Sequence, residues 1–440
     1  MRIVTLTAGT GSFHCGTCMR DNALTVALRK LGHNATLAPL YLPMVLDEDQ
    51  AVGESPLFYG GVNVYLQQKS ALFRKTPRWL DSLFDSPGLL KTAAKRAGMT
   101  RASELGEMTL SMIMGEEGKQ LKELDRLADW LAEEGKPDVV CLSNALLLGV
   151  SRRIKERTGA AVVCTLQGED GFLDSLPSPF REQVWSRLGE IGKRDVDAFI
   201  GVSQYHADLM TDRAGFPAEK VHVIHNAILL DGYPTQQRKS TPSPPVLGYM
   251  ARMHPMKGLG QLVDSFIAIR SRGAVPNLKL KIAGSQTDAD VAYVATLQEK
   301  IKTAGLESDV EFHPNVSREE KIQFLKGLSV LSVPAMYGES FGLYVIEAMA
   351  AGTPVVQPRH AGFTEIVEAT GGGLLYDPES ENGYEETLTT LLNDPRRTQE
   401  LCEAGRLAVA GKFSIEHMAR ETASLFDSVL SKKQGAASAA

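Results

Sequence analysis

Residues 336–356 read MYGESFGLYVIEAMAAGTPVV. After the turn Phe341-Gly342-Leu343, the apolar residues Leu343, Val345, Ile346, Ala348, Met349 and Ala350 predict a buried helix starting near Gly342 or Leu343, and TPVV predicts the strand that follows. Two carboxylates flank the turn: Glu339 stands just before it and Glu347 a turn into the helix. A helix start presents unpaired N–H groups and the positive end of a dipole, so an anion belongs there. Gly342 lets the backbone approach that anion closely. Glu339 can accept hydrogen bonds from sugar hydroxyls, and Glu347 can do the same for a ribose. Two glutamates on a helix commonly mark a solvated face, but the apolar neighbours of Glu347 argue against it. A buried carboxylate without a partner is costly.

Outward from this stretch, short apolar runs alternate with segments of helical period. RIVTLTAG, RDNALTVALRKLGH and NATLAPLYL open the chain, and PDVVCLS, AVVCTLQ and DAFIGVS follow. At 233–245, YPTQQRKSTPSPP has linker composition. The alternation then restarts with PVLGYMAR, GLGQLVDSFIAIRSRG, LKLKIAG, VAYVATLQEKIKTAG, DVEFHPN, SREEKIQFLKGL and SVLSVPA. Such βαβ alternation predicts an α/β protein with two doubly wound parallel sheets, the expected site being the cleft that the two halves face. The expected domains are 1–232, with a basic insertion at 69–120, and 246–413. Helix 414–431 is expected to pack back on the first domain, and 432–440, small and polar, to be disordered.

A chain of 440 residues is long enough for two cores. With 43% hydrophobic residues, 23% charged residues and a net charge of −6, the composition is that of a soluble globular protein with no global attraction to nucleic acid. The first residues lack a signal-peptide core, and the longest apolar segment, VVCLSNALLLGV at 139–150, falls short of the roughly 20 residues that span a bilayer. These features predict a cytoplasmic protein. Its five cysteines suit a reducing compartment, with Cys141 and Cys164 as buried fillers of strands. Residues 69–101 depart from the average: eight basic residues against Asp81 and Asp85 give a local charge of +6, interleaved with Phe73, Trp79, Phe84 and several leucines. That composition occurs at anionic membrane surfaces and anionic ligand sites, and equally in a solvated helical hairpin.

The stretch 336–356 resembles the Glu-x7-Glu signature of the retaining glycosyltransferases of family 4, which have the GT-B architecture. GYMARMHPMKGLGQLVDSF is similar to that family's "GR…KG" loop, with Arg252 and Lys257 after a strand. A planar guanidinium and a compact ammonium there can converge on phosphate oxygens. KIAGSQ with Gly284, VEFHPNVSREEKIQFL with Asn315 and Val316 in the base-holding loop, and PVVQPRHAGFTEIVE with Ala361, Gly362 and Glu365 match further family segments. VHVIHNAIL resembles the hinge motif, with His225 and Ala227 replacing Pro and Gly and Leu230 near the usual Asp.

The resemblance implies hexosyl transfer from a nucleotide-diphosphate sugar of UDP, GDP or ADP type to a small-molecule, glycan or lipid-linked acceptor. It implies retention of configuration, a front-face attack assisted by the diphosphate, domain closure that excludes water, and no metal or other cofactor. Arg252, Lys257 and Glu339 would be catalytic. Gly16, Gln167, Asn315, Val316, Ser340, Phe341, Gly342, Leu343 and Glu347 would bind the donor, and Cys15, Glu169 and Asp170 the acceptor. Gln167 stands where family members often carry a histidine. For Glu169 and Asp170, helix capping is the other reading. The basic insertion adds an anionic acceptor, or peripheral contact with the cytoplasmic membrane face.

The segment TAGTGSFHCGTCMRDNALTVAL, residues 7–28, places Cys15 and Cys18 in a glycine-rich turn. Counting from Gly32-His33, Gly16 takes the place of the second glycine of a family pair and Cys15 that of the first. A redox or metal module resting on Cys15 and Cys18 is an alternative of another class, though a metal would need two more ligands and only His14 is local. A GT-B-like sugar-nucleotide epimerase, a phosphorylase and a catalytically silent sugar-nucleotide binder remain open as well. Asp47/Asp49, Asp195/Asp197 and Asp288/Asp290 each match Asp-x-Asp, a metal-holding motif in another glycosyltransferase fold. Three matches in one chain show how little the motif discriminates.

Overall fold

Strongly apolar runs such as Ala161–Leu166 and Val355–Pro358 are buried along their whole length, the mark of strands covered on both faces. In the computed structural model of the protein, residues 1–9, 16–41, 58–59, 64, 66–68, 102–238 and 240–439 are described. The basic stretch 69–101, His14, Cys15, Asp47 and Asp49 lie outside them.

The chain divides into two units, Met1–His225 with Met418–Ala440, and Asn226–His417. In the first, β1 (Arg2–Thr7), β2 (Asn34–Pro39), β3 (Val139–Leu142), β4 (Ala161–Leu166), β5 (Ala198–Gly201) and β6 (Val221–Val223) form a sheet in the order β2-β1-β3-β4-β5-β6. All of its pairs are parallel. Among the described residues its helices include α1 (Gly16–Lys30), α2 (Ala102–Ile113), α3 (Leu121–Trp130), α4 (Ser151–Thr158), α5 (Asp170–Ser175), α6 (Phe180–Asp195) and α7 (Gln204–Ala214). The core includes Phe199 and Phe216, stacked with ring centroids 4.1 Å apart. Cys141 and Cys164 are buried fillers of β3 and β4, and burial pushes the Cys141 thiol up to about 11.

In the second unit, β7 (Val246–Met250), β8 (Lys279–Gly284), β9 (Val310–Pro314), β10 (Val330–Leu331), β11 (Val355–Pro358) and β12 (Gly373–Tyr376) lie in the order β12-β11-β10-β7-β8-β9, again all parallel. They alternate with α8 (Leu259–Ser271), α9 (Val291–Thr303), α10 (Arg318–Lys326), α11 (Leu343–Ala350), α12 (Gly362–Thr370), α13 (Gly383–Leu392) and α14 (Pro395–Lys412). The edge strands β9 and β12 are only half-buried, whereas β7 and β10 are fully buried. Strand order reverses between β1 and β3 in the first sheet and between β7 and β10 in the second. In open α/β sheets the crevice outside the carboxyl ends of the strands at such a reversal is where ligands bind.

Two boundaries differ from the sequence reading. The second unit begins at Asn226, before the proline-rich 233–245, because Ile228 pairs with the 413–415 segment: its N–H donates to Phe413 O and its carbonyl accepts from Ile415 N–H. Of the tail 432–440, expected to be disordered, residues 432–439 instead continue a helix, α15 (Ile415–Ala439). Alanine has the highest helix propensity, so an alanine-rich end extends a formed helix at little cost.

Candidate functional site

At the reversal of the second sheet, two loops bring charge together. After β7, the backbone of Arg252 is held by the Tyr249 hydroxyl, which donates to its carbonyl at 2.9 Å. The chain then makes a single 3-10 turn, Pro255–Lys257, ended by Gly258 at φ +73°. A Cβ at Gly258 would lie 2.2 Å from the Pro334 carbonyl oxygen. Only glycine therefore lets this loop run against the one that follows β10. That closeness places Lys257 Nζ 2.6 Å from Glu339 Oε2, 3.4 Å from the Tyr337 hydroxyl, and 4.8 Å from the centre of the Tyr337 ring.

Glu339 is largely buried, and its Oε2 also accepts from the Tyr344 hydroxyl at 2.9 Å. Burial depresses the Lys257 ammonium, but the negative charge of Glu339 and the Tyr337 contact outweigh it and hold the group above its usual range. Tyr344 is driven well above the usual phenol range, by burial first and then by Glu339. Both groups keep their protons at neutral pH, so the carboxylate has two fixed donors.

The helix predicted after Gly342 is α11. Gly342 itself has φ +91°, and a Cβ there would meet the Phe363 ring at 3.1 Å. The Gly362 N–H donates to the Glu339 carbonyl at 3.0 Å, tying this loop to the start of α12. Glu347, on α11, has the partner its apolar surroundings demand, since Lys321 Nζ lies 2.6 Å from Oε1. Lys321 is set in place by the start of α10, where Ser317 and Glu320 form a reciprocal capping box. Arg252 turns to Asp290, donating from Nε at 3.2 Å and from Nη2 at 3.1 Å.

In the first unit, residues beyond the ends of β1, β3 and β4 form a polar cluster. Gln167 donates to the Ser143 carbonyl at 3.2 Å and reaches Asp21 at 3.5 Å. Asp21 is fully buried against Arg20 at 2.8 Å, and burial pushes its carboxyl up despite that partner. Cys18 is buried, its Sγ 3.6 Å from the Thr7 hydroxyl. Glu169 accepts from the Ala145 N–H at 2.7 Å and from the Gln167 N–H at 2.6 Å. Burial raises its carboxyl, yet His206 and the Ala145 N–H prevail and hold it below the usual range. The His206 Nε2 in turn accepts from the Gly168 N–H at 2.9 Å.

Residues 234–408 match the family of glycosyl transferases group 1, and residues 110–231 match Glycosyltransferase Family 4. The chain belongs to glycosyltransferase family 4. The D-inositol 3-phosphate glycosyltransferase of a Nocardioides species is 28% identical to this glycosyltransferase over 54% of the chain and 52% of the relative. The chain thus spans about half the length of that relative. The glycogen synthase of Mycobacterium tuberculosis is 25% identical over 81% of the chain and 83% of the relative. Among solved structures, sucrose-phosphate synthase from Thermosynechococcus elongatus aligns over 98% of the chain and 99% of its own, with a TM-score of 0.69 at 18% identity. Anabaena HepE in complex with UDP aligns over 97% and 100%, with a TM-score of 0.66 at 17% identity. The fold is GT-B, two Rossmann-like domains.

Of the residues expected to act in the glycosyltransferase, Lys257 and Glu339 meet directly. Arg252 and Glu347 each hold a different partner. The Phe341 side chain is buried in the core, its ring 6.1 Å from that of Phe413, so only its backbone faces the loop. Ser340, Leu343 and Val316 are half-buried, and Gly16 is exposed at the first position of α1. Asn315, at φ +55°, exchanges two hydrogen bonds with the Gln286 backbone, so its amide braces the end of β8. Glu169 anchors backbone and does not cap α5. Asp170 opens that helix 3.8 Å from His206 Nδ1, its carboxyl pushed up by burial.

Among the described residues no group of three or more His, Cys, Asp and Glu is placed to hold a metal, and no helix is long and apolar enough to cross a membrane. Asp195 pairs with Arg194, and Asp197 pairs with Lys155 and accepts from the Val162 N–H. Sequence reasoning missed Tyr337, Tyr344 and Lys321, and saw Asp290 only as half of an Asp-x-Asp match. The signal for Tyr344 was its place in the first turn of α11, one helical turn from Glu347.

Proposed function

We propose that this glycosyltransferase moves a hexosyl group from a nucleotide-diphosphate sugar to an acceptor hydroxyl, with retention of anomeric configuration and without a metal. The observation that carries this reading is the Lys257–Glu339 contact at the β7/β10 reversal, beside the start of α11. A diphosphate seated there meets Lys257, the guanidinium of Arg252 and the N–H groups that open α11. Together these supply the charge that stabilises a departing diphosphate. Glu339, held by Tyr344, accepts from donor sugar hydroxyls, and Glu347 from the ribose. As the C1–O bond to phosphate breaks, its electron pair leaves with the diphosphate and C1 takes on oxocarbenium character. The acceptor oxygen bonds C1 on the same face, and its proton passes to a leaving phosphate oxygen.

Solved relatives of the same fold carry UDP, or UDP and glucose, so UDP-sugars come first in the test. Purified protein is incubated with UDP-, GDP- and ADP-glucose, with D-inositol 3-phosphate or glycogen as acceptor and with or without EDTA. Release of nucleoside diphosphate coupled to a new glycoside, unaffected by EDTA and of unchanged anomeric configuration by NMR, is expected. An inverted product or an absolute requirement for a divalent cation overturns the reading. The basic, aromatic composition of 69–101 adds contact with an anionic membrane surface. Co-sedimentation with phosphatidylserine vesicles that persists after deletion of 69–101 removes that part.

A further inference from the structure

The charge of Arg252 is already matched by a residue with no place in the proposed reaction. Asp290 stands immediately before α9, its side chain only 2% exposed, while that of Arg252 is 47% exposed. The Asp290 carboxylate is saturated. Oδ2 accepts from the Thr287 N–H at 2.9 Å, the Thr287 hydroxyl at 2.6 Å and Arg252 Nε at 3.2 Å, and Oδ1 accepts from Arg252 Nη2 at 3.1 Å. Burial alone would raise this carboxyl, but Thr287 and Arg252 together hold it down to about 2. It is therefore a fixed anion throughout the working pH range. The two-point contact consumes the Nε–Nη2 edge of the guanidinium and leaves Nη1 without a partner among the described residues.

We propose that Asp290, braced by Thr287, is a positioning residue that clamps one edge of Arg252, presents the opposite edge to the donor diphosphate, and weakens the grip on the diphosphate product. The inference rests on the reading of Arg252 as a phosphate-binding group. A flexible arginine near a diphosphate binds it in many geometries, whereas one clamped by a bidentate carboxylate loses little freedom when it binds. Orientation favours the transition state. The same carboxylate is a negative charge in contact with the guanidinium, so it lowers the attraction of Arg252 for the two phosphates in substrate and product alike. Clamping and attenuation thus act in different directions on different constants, and a residue that merely supported the fold would produce neither pattern.

The test compares full-length wild type with Asp290→Asn, Asp290→Glu and Thr287→Val. Steady-state kinetics with UDP-glucose are combined with inhibition by UDP and by inorganic pyrophosphate, and with thermal-shift titration of both anions. Asp290→Asn is expected to lower kcat about tenfold while the UDP and pyrophosphate inhibition constants fall roughly three- to tenfold, meaning tighter binding. Asp290→Glu restores the charge and is expected to return the inhibition constants to wild-type values. Thr287→Val keeps the charge and loosens the clamp, so kcat falls a few-fold with inhibition unchanged. The proposal is overturned if kcat and product inhibition of Asp290→Asn equal those of wild type, or if kcat and anion affinity fall together and Asp290→Glu does not recover the affinity. Should Asp290→Asn fail to fold, the Asp290→Glu and Thr287→Val comparison decides alone, and inhibition that weakens in Thr287→Val overturns it. If wild type takes up neither UDP nor pyrophosphate, the phosphate-binding reading itself has failed. Uptake by wild type with no change in the variants fails only the role of Asp290.

Discussion

Lys257 Nζ lies 2.6 Å from Glu339 Oε2, so the cation that would meet the diphosphate and the carboxylate that would meet the sugar are each other's partner. Donor binding must exchange this contact for two new ones, and the two residues then respond differently to substitution. In Glu339→Gln the ammonium is released to the phosphates while the sugar loses its strongest acceptor. We expect donor KM unchanged or lower and kcat reduced by about 10²-fold. Lys257→Ala removes phosphate charge and leaves Glu339 short of a donor, so KM should rise and kcat fall together. Equal effects of both variants on KM would show that the pair does not separate on donor binding.

The Tyr344 hydroxyl donates to the same carboxylate oxygen at 2.9 Å. Tyr344→Phe keeps the ring and removes only that bond. The expected result is a kcat lower by about ten- to a hundredfold, consistent with loss of one hydrogen bond to a charged acceptor, with an unchanged melting temperature to within a few degrees. An unaltered kcat would show that Lys257 alone orients Glu339.

Glu347 has Lys321 as its partner at 2.6 Å, with side-chain exposures of 14% and 22%. Lys321→Met strands a mostly buried carboxylate, which costs roughly 1–3 kcal/mol, and lets Glu347 drift from the ribose. Donor KM should rise several-fold with kcat little changed, and Lys321→Arg should recover most of the loss. A KM that is the same in Lys321→Met and wild type removes Lys321 from the site.

Much of this was legible in the chain, for local reasons. Strand, loop and helix alternate within windows of a dozen residues, and the turn at Gly342 is defined by its immediate neighbours, so both sheets and the placement of Arg252, Lys257, Glu339 and Glu347 could be read. What pairs with those residues could not. Asp290 is 38 residues from Arg252 and Lys321 is 26 from Glu347, and only the strand order makes them neighbours. Asp290 moreover sits in an Asp-x-Asp match that points toward metals, while its partner is an arginine. The tail beyond 431 misled for a different reason. Low hydrophobicity suggested disorder, but alanine needs no burial to prolong a helix already under way.

Gly342 opens α11 at φ +91°, with the Phe363 ring 3.1 Å from where a Cβ would stand. Gly342→Ala meets both penalties, a left-handed backbone costing roughly 1–2 kcal/mol and a contact of 3.1 Å. The expected variant is less stable by about that amount in urea melts and loses donor binding, because the N–H groups at the start of α11 shift. Full donor affinity in a destabilised variant would show that those N–H groups do not meet the diphosphate.

Glu169 gives the first unit an acid sensitivity whose sign follows from its partners. Its folded-state carboxyl lies below the ordinary value of about 4.3, because the His206 contact and the Ala145 N–H favour the carboxylate over the desolvation that opposes it. A depressed acid contributes stability that is complete above its unfolded value and is lost as pH falls through the folded one. Glu169→Gln removes that contribution. Hydrogen exchange at the Ala145 and Gln167 amides should therefore be much faster in the variant at pH 7, and the difference from wild type should shrink below about pH 4. In Glu169→Ala both amides lose their acceptor outright, and the local opening free energy should drop by roughly 2–4 kcal/mol at neutral pH. A difference between wild type and Glu169→Gln that stays constant from pH 7 to pH 3 would mean that the charge on Glu169 does not hold the loop from Gln167 to Asp170 in place.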